Sequence, residues 1–350
     1  MSAVHLGLFD ALADGPLADA DLALKLGASL RGTSMLAEAM AAMGLVRRSA
    51  DGVSSLTEFS FSRLTSSSPR SVRGLVEHMR RLLAEWTQLD RAVLEGSLPR
   101  REKTPERRSA FLGGMEAGTL LQASAIVPRL GLAGRKRLLD MGGATGAWSA
   151  AFLEQNPDLT AVVVDRPGTR ESAEAFIASR GLAGRLSFHG CDFLTDPLPS
   201  GFDVVWLSQV LHIFGPEKVL CALRRAYGSL GSGGLLLVHE FLLDRDGPLF
   251  PAIFALNMLT HTEEGRTWKD HELMALMREA GFTDVRPRLT HQKNLIVSRH
   301  EKHARYSSGL RSEPLRQSPR TAAQALSGVS SGNAPLLRHG HLYHRQKIFL

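Results

Sequence analysis

The stretch Leu138-Leu139-Asp140-Met141-Gly142-Gly143-Ala144-Thr145-Gly146 constrains this chain more than any other. An apolar strand runs into a glycine-rich turn, and a helical pattern follows. From Arg137 onward, strand-like and helical runs alternate. Strands are expected near 138–141, 160–164, 186–191, 202–207 and 235–239, with helices near 146–155, 169–180 and 216–230. That alternation specifies a parallel sheet with helices on both faces. A helix over 269–280 and strand-like runs at 284–288 and 294–297 would close the sheet.

Ligands bind open parallel sheets at the carboxyl ends of the strands, where small residues admit them to the backbone. A dinucleotide fingerprint needs G-x-G-x-x-G. Counted from Gly142, its second and third glycines fall on Ala144 and Ala147. No G-K-[ST] follows either, so a phosphate-gripping loop is excluded. What remains is a carboxylate, Asp140, ahead of Gly142, Gly143 and Gly146. That suits a ligand with a cationic group and no phosphate, such as S-adenosylmethionine. Asp165 ends the second strand, 19 residues after Gly146, where a carboxylate can accept from both ribose hydroxyls. Asp192 follows the third strand and can accept from an adenine amine.

The first 65 residues read as three short helices and a small hairpin, a winged-helix pattern. Leu6, Leu8, Phe9 and Leu12 mark one face, then comes a helix over 19–26. The third spans 32–43 with Met35, Leu36, Met40 and Met43 inward. Helical segments follow at 70–95 and 106–130. Two cysteines, Cys191 and Cys221, cannot build a disulfide framework. The first 15 residues lack a basic leader, and no apolar run is read as reaching the roughly 20 residues of a membrane helix. The expectation is a cytoplasmic protein without a membrane partner.

The net charge of +7 invites a nucleic-acid reading. Its distribution does not. Residues 301–350 carry eight Lys and Arg against two Glu, a net of +6. Residues 1–300 carry 34 basic against 33 acidic side chains, a net of +1. The excess lies in a Ser-, Arg- and Gly-rich tail expected to be disordered.

The stretches LLDMGGATGAWSAAFLEQNP, VVDRPG, GCDFLTDPLP, LSQVLHIFGPEKVLCALRRAYGSLGSGGLLLVHEFLL and LNMLTHTEEGRTW, with LGLFDALADGPL near the start, resemble the class I small-molecule O-methyltransferases. That family includes plant caffeate-type and acetylserotonin-type enzymes and bacterial relatives. Order and spacing agree over residues 4–298. The resemblance implies an α/β, Rossmann-like methyltransferase sheet preceded by a mainly α winged-helix domain. It divides the chain into a winged-helix dimerisation and substrate-lid domain with helical linker (1–110), a cofactor-binding catalytic domain (111–300) and the tail (301–350).

By the same resemblance, the cofactor is S-adenosyl-L-methionine. Asp140, Gly142, Gly143 and Gly146 cradle its methionine part, Asp165 its ribose, and Asp192 with Phe193 its adenine. Ser208 lines it further, where the family often has lysine. His212 falls on the catalytic base, and Glu240 on the acid that orients it. A second acid falls in the Thr262–Arg266 turn and is placed at Glu263. Phe111 and Met115 on one helix, with Phe254, Asn257 and Met258 on another, fall on acceptor-lining positions. The implied partner is a small hydroxylated metabolite: aromatic, polyketide or isoprenoid.

A phenol titrates about 3.5 units above a histidine, so full prior deprotonation costs about 5 kcal/mol. The base therefore takes the proton as the methyl transfers. The chain departs from the family at Ile213-Phe214, where Asp-Trp is usual. Met1 falls inside the family's usual second helix, so the first, interlocking helix is not expected, which sets the implied homodimer in tension with the sequence. Three other readings compete. A catalytically inactive cofactor-binding scaffold fits the departures. A winged-helix DNA-binding regulator would need basic residues on its third helix, and none lies within 32–43. A metal enzyme built on His212, His239 and His261 lacks a ligand-spaced pair.

Overall fold

The computed structural model describes residues 1–99, 104–244, 249–288 and 295–300. The expected tail, 301–350, and Asn294 lie outside the described residues. The chain begins with two four-residue helices, α1 (Ser2–His5) and α2 (Leu8–Ala11), not one. Gly7 breaks them with a left-handed φ of +78°, which turns Leu6 outward while Leu8, Phe9 and Leu12 stay buried. Then come β1 (Leu17–Ala18), α3 (Asp19–Leu26), α4 (Leu30–Ala42), β2 (Val46–Arg48) and β3 (Val53–Leu56). The three strands form a small antiparallel sheet ordered β1-β3-β2, completing the winged-helix shape.

Helix α4 starts two residues earlier than expected, because Ser29 caps it by accepting from Gly32 N. This shift puts Arg31 inside the first turn. It also corrects the inward face: Thr33 and Ala37 are buried, Leu36 and Met40 are half-buried, and Met35 and Met43 are exposed.

Helices α5 (Glu58–Leu64), α6 (Arg73–Trp86), α7 (Leu89–Glu95) and α8 (Pro105–Ile126) lead to the main sheet. The single helical segment expected over 70–95 is two helices. Helix α8 runs through residue 110, so the expected boundary between the first two domains falls inside a continuous helix. The 20 residues Ala110–Arg129 are long and apolar enough to cross a membrane, which corrects the expectation that no such run exists. In the fold this stretch packs along α6 and the helix after the glycine turn.

The main sheet and its helices follow as β4 (Arg137–Met141), α9 (Ala147–Gln155), β5 (Thr160–Asp165), α10 (Arg170–Ser179), β6 (Leu186–Gly190), β7 (Phe202–Ser208), α11 (Pro216–Ser229), β8 (Leu230–His239), α12 (Leu249–His261), α13 (Asp270–Glu279), β9 (Thr283–Arg288) and β10 (Leu295–Arg299). The order is β6-β5-β4-β7-β8-β10-β9. The first five strands are parallel. Strand β10 inserts between β8 and β9 and runs antiparallel to both.

Strand alternation sorts side chains between two core layers. Leu139, Met141, Val205, Leu207 and Val238 face α11 and α13. Leu138, Val204, Trp206 and Leu237 face α9 and the C-terminal turns of α8. The chain leaves β4 for β5 on one side and later enters β7 on the other. The gap between the carboxyl ends of β4 and β7 is therefore the switch point of the sheet, where ligands of such folds sit.

Candidate active site

The turn after β4 is shaped by close approaches. Gly142 has φ +75°, and a Cβ there would lie 2.8 Å from Val210 Cγ2. A Cβ on Gly143 would lie 2.5 Å from the Asp140 carboxyl carbon, so only glycine lets the turn fold over that acid. Asp140 shares the α9 side of the sheet with Leu138, is 1% exposed and accepts from Ser149 Oγ at 2.7 Å. Burial raises its pKa from the ordinary 3.8 to about 7, against the Ser149 bond. The structure thus sets Asp140 beneath the turn, where it supports the glycines, rather than lining its open side.

Asp165 is half-buried at the end of β5. Its Oδ2 accepts from Ala144 N at 2.9 Å, and its Oδ1 from Arg166 N at 2.7 Å and from Thr169 Oγ1 at 3.3 Å. Asp192 Oδ1 accepts from Leu194 N at 3.0 Å. Phe193 is buried, edge-on to Phe214 at 6.0 Å. Carboxylates thus end β5 and follow β6 beside a turn whose Cβ-free backbone leaves a cradle. This donor and acceptor set fits S-adenosylmethionine, which has ribose hydroxyls, an adenine amine and no phosphate.

On the other side of the switch point, Ser208 Oγ lies 2.9 Å from His239 Nδ1. His239 is stacked on Trp206 at 5.6 Å, and burial lowers its pKa to about 4, so it is neutral at ordinary pH. The lysine usual at the Ser208 position would confront this buried ring.

His212 sits in a 3-10 turn, 6% exposed, with Nδ1 2.8 Å from Glu240 Oε2. Glu240, 1% exposed, also accepts from Leu211 N at 2.8 Å and His212 N at 3.4 Å. Burial pushes its pKa up, but the His212 ring, the Leu211 N–H and the neighbouring His239 outweigh it and hold the carboxyl below its usual range. The separation of 28 positions along the chain is bridged because β7 and β8 are parallel neighbours whose carboxyl ends coincide.

The turn expected to carry a second acid is tied to His212 through the backbone, Arg266 N donating to His212 O at 2.8 Å. Glu263 itself is exposed on that turn, and Glu264 pairs with Lys218 at 2.9 Å.

Phe254 meets the His212 ring at 4.8 Å, nearly perpendicular. Asn257 and Met258 are buried on the same helix. Asn257 Oδ1 accepts from Trp86 Nε1 at 3.1 Å, fastening α12 to α6. Phe111 is 47% exposed, and its ring meets His78 at 5.5 Å; Met115 is half-buried. Sequence reasoning missed Ser149, Trp86, His78 and Phe241. Burial, with the charges of His261 and Arg81, lowers the His78 pKa to about 4. Phe241 lies 6.2 Å from His212, near parallel, and follows Glu240 directly, which is the signal that could have found it. Of the three histidines of the metal reading, His212 faces Glu240, His239 faces Ser208, and His261 Nδ1 lies 2.8 Å from Asn257 O. Among the described residues one group, Asp244, Asp270 and His271, brings three potential ligand atoms within 4.8 Å; its members bond to one another.

Comparison with known proteins agrees with this geometry. Residues 79–283 match the O-methyltransferase domain, and residues 1–66 match the O-methyltransferase dimerisation domain. The chain is 32% identical over 296 residues to 3-hydroxy-5-methyl-1-naphthoate 3-O-methyltransferase of Streptomyces sahachiroi, covering 81% of this chain and 85% of that one. It is 34% identical over 312 residues to acetylserotonin O-methyltransferase of Bos taurus, covering 83% and 89%. The crystal structure of human N-acetylserotonin methyltransferase in complex with S-adenosylmethionine superposes with a TM-score of 0.78 at 29% identity, covering 86% of this chain and 92% of that one. With both halves of the fold matched, the chain belongs to the S-adenosylmethionine-dependent O-methyltransferase family.

Proposed function

We propose that His212 is the general base that removes the proton from the acceptor hydroxyl. One observation carries this: His212 Nδ1 lies 2.8 Å from a carboxylate that is itself sealed from water. Glu240 holds the proton on Nδ1 and leaves the Nε2 lone pair for the acceptor. Bound S-adenosylmethionine supplies a sulfonium-activated methyl. His212 takes the hydroxyl proton at Nε2 as the oxygen is methylated, and Glu240 stabilises the imidazolium that forms. Phe241 and Phe254 keep water from the ring and hold its plane.

The cofactor is assigned to the turn at Gly142, Gly143 and Gly146 with Asp165, Asp192 and Phe193, and Ser208 lines it from β7. Residues on α8 and α12, among them Phe111, Met115, Phe254 and Met258, line the acceptor, with Asn257 holding α12 in place. The acceptor is a hydroxyl on a small apolar ring system; the ring cluster about His212 and the naphthoate and acetylserotonin relatives support this. The enzyme works as a cytoplasmic homodimer through residues 1–66, where Leu24, Met35, Met43 and Phe59 leave apolar surface exposed. Equilibrium sedimentation at the mass of one chain would overturn the dimer.

The test of the base is His212→Ala. Turnover with a phenol panel and labelled cofactor falls by at least about 100-fold, while S-adenosylhomocysteine binds by calorimetry as before. Retained turnover removes His212 as the base. Lost turnover with lost binding makes its role structural.

A further inference from the structure

We propose that His78 and His261 are specificity residues, and that they take an acceptor whose ring system carries a carboxylate at the end remote from its reacting hydroxyl. This rests on the acceptor reading above and deepens it, because neither the base nor the rings about it call for a charged substituent.

The first observation is a line of side chains. Phe254, Met258 and His261 share one face of α12, at i, i+4 and i+7. Phe254 meets the His212 ring at 4.8 Å. His261 lies two turns farther on, about 10 Å along the helix axis. An acceptor with its hydroxyl at His212 passes over apolar side chains before it reaches a polar one. Two fused rings with substituents at opposite ends match that length.

His78 reaches the same end from a second helix. The bond from Trp86 Nε1 to Asn257 Oδ1 fastens α6 to α12. Counted from it, His261 is one turn onward along α12, and His78 is two turns back along α6. The two rings are near enough for charge on His261 to act on His78. His78 also meets Phe111 of α8, ring to ring at 5.5 Å.

The second observation is independent: ring nitrogens here are uncommitted. Among the described residues His78 has no hydrogen-bond partner, and its half-buried ring is not sealed from the space beside it. His261 is exposed. Its Nδ1 lies 2.8 Å from Asn257 O and 2.7 Å from Thr260 Oγ1, which leaves Nε2 for a ligand.

The sign of the surrounding charge selects the ligand. Arg81, one turn after His78, and His261 both act on His78 as positive charges, and with burial they lower its pKa to about 4. Glu77, its neighbour in the chain, is turned to His5 at 3.3 Å and to Arg80 at 3.2 Å. Helix α8 presents Phe111 and Gly114. This end of the acceptor site is therefore electropositive. Neutral His78 donates one N–H, and a carboxylate beside His261 favours the imidazolium, whose Nε2–H donates as well. Such bonds are stronger to an ionised acceptor than to a neutral one.

The experiment compares 6-hydroxy-2-naphthoic acid with its primary amide, which has the same shape and no charge, as acceptors for the full chain. The unaltered chain shows a kcat/KM about tenfold or more higher for the acid. In His78→Leu and in His261→Leu that preference falls about threefold or more, through the KM for the acid. A packing defect would instead weaken both probes alike. Position 261 is exposed, so His261→Leu keeps the fold should His78→Leu lose it. Equal use of acid and amide by the unaltered chain, or a preference that both variants keep, overturns the proposal. Turnover of simple phenols with neither probe methylated also overturns it and leaves the acceptor reading standing. If no phenol is methylated, the acceptor reading falls and takes this proposal with it.

Discussion

Ala144 holds φ +51° in the turn after β4, and its N–H donates to Asp165. A left-handed alanine costs about 1–2 kcal/mol, and glycine returns about 0.5–1 of that through its freer unfolded chain. Ala144→Gly therefore stabilises the fold by about 0.5–1 kcal/mol, read as a rise in the urea midpoint. Glu240→Gln acts the other way. The carboxylate accepts three N–H groups, and an amide of the same shape turns an NH₂ on one of them. The expected loss is about 2–3 kcal/mol of stability, with turnover reduced because the imidazolium loses its partner.

Asp140 carries a linkage of defined sign. Its folded pKa of about 7 lies above the ordinary 3.8, so the fold binds the proton more tightly than the unfolded chain. Its contribution is fully present below about pH 4 and is lost as pH rises through 7. Asp140→Asn, which keeps an oxygen for Ser149, stabilises the free protein at pH 8 and differs little at pH 4. Denaturant titration at both values checks this. At this scale the sequence picked out Asp165, Asp192, His212 and Glu240, which the fold brings to the carboxyl ends of neighbouring strands, because chemistry depends on residue type. It did not show that Asp140 lies under the turn, since that depends on the closeness of Gly143 and Ser149 in three dimensions.

At the scale of elements, the alternation after Arg137 made the parallel strands readable, with limits within one residue except at β8, which begins five residues earlier than expected. The reversed β10 was not readable, because a short apolar run is the same in either direction. The N-terminal helices were less legible for a physical reason. Gly7 and Ser29 set where helices break and begin, and apolar spacing alone drew one helix through Leu6 and a wrong inward face through Met35 and Met43. Helices α6 and α8 offer a further case. A Cβ on Gly74 would lie 2.6 Å from Gly113 O, so the two helices cross at backbone contact. Gly74→Ala forces them apart at a cost of about 1–3 kcal/mol, although alanine favours an isolated helix. A thermal scan of the variant decides between the two, and a raised midpoint would mean the crossing yields easily.

At the scale of the whole molecule, +7 is a misleading number. A field that recruits polyanions needs clustered charge within a Debye length, about 8 Å at physiological salt. Residues 1–300 carry only +1, and many of their charges are paired, as in Arg48 with Asp19 at 2.6 Å and Arg170 with Glu174 at 2.9 Å. The proposed chemistry needs no extended basic surface, because S-adenosylmethionine carries no phosphate. Any affinity for nucleic acid or heparin therefore resides in residues 301–350. A chain ending at His300 is expected to elute from heparin at distinctly lower salt than the full chain. It keeps its affinity for S-adenosylhomocysteine. Unchanged elution would place a basic patch on the folded body, and the charge would then bear on function. A shortened chain that lost the cofactor would instead make the tail part of the enzyme, an outcome the near-neutral body and the family match ending before residue 300 argue against.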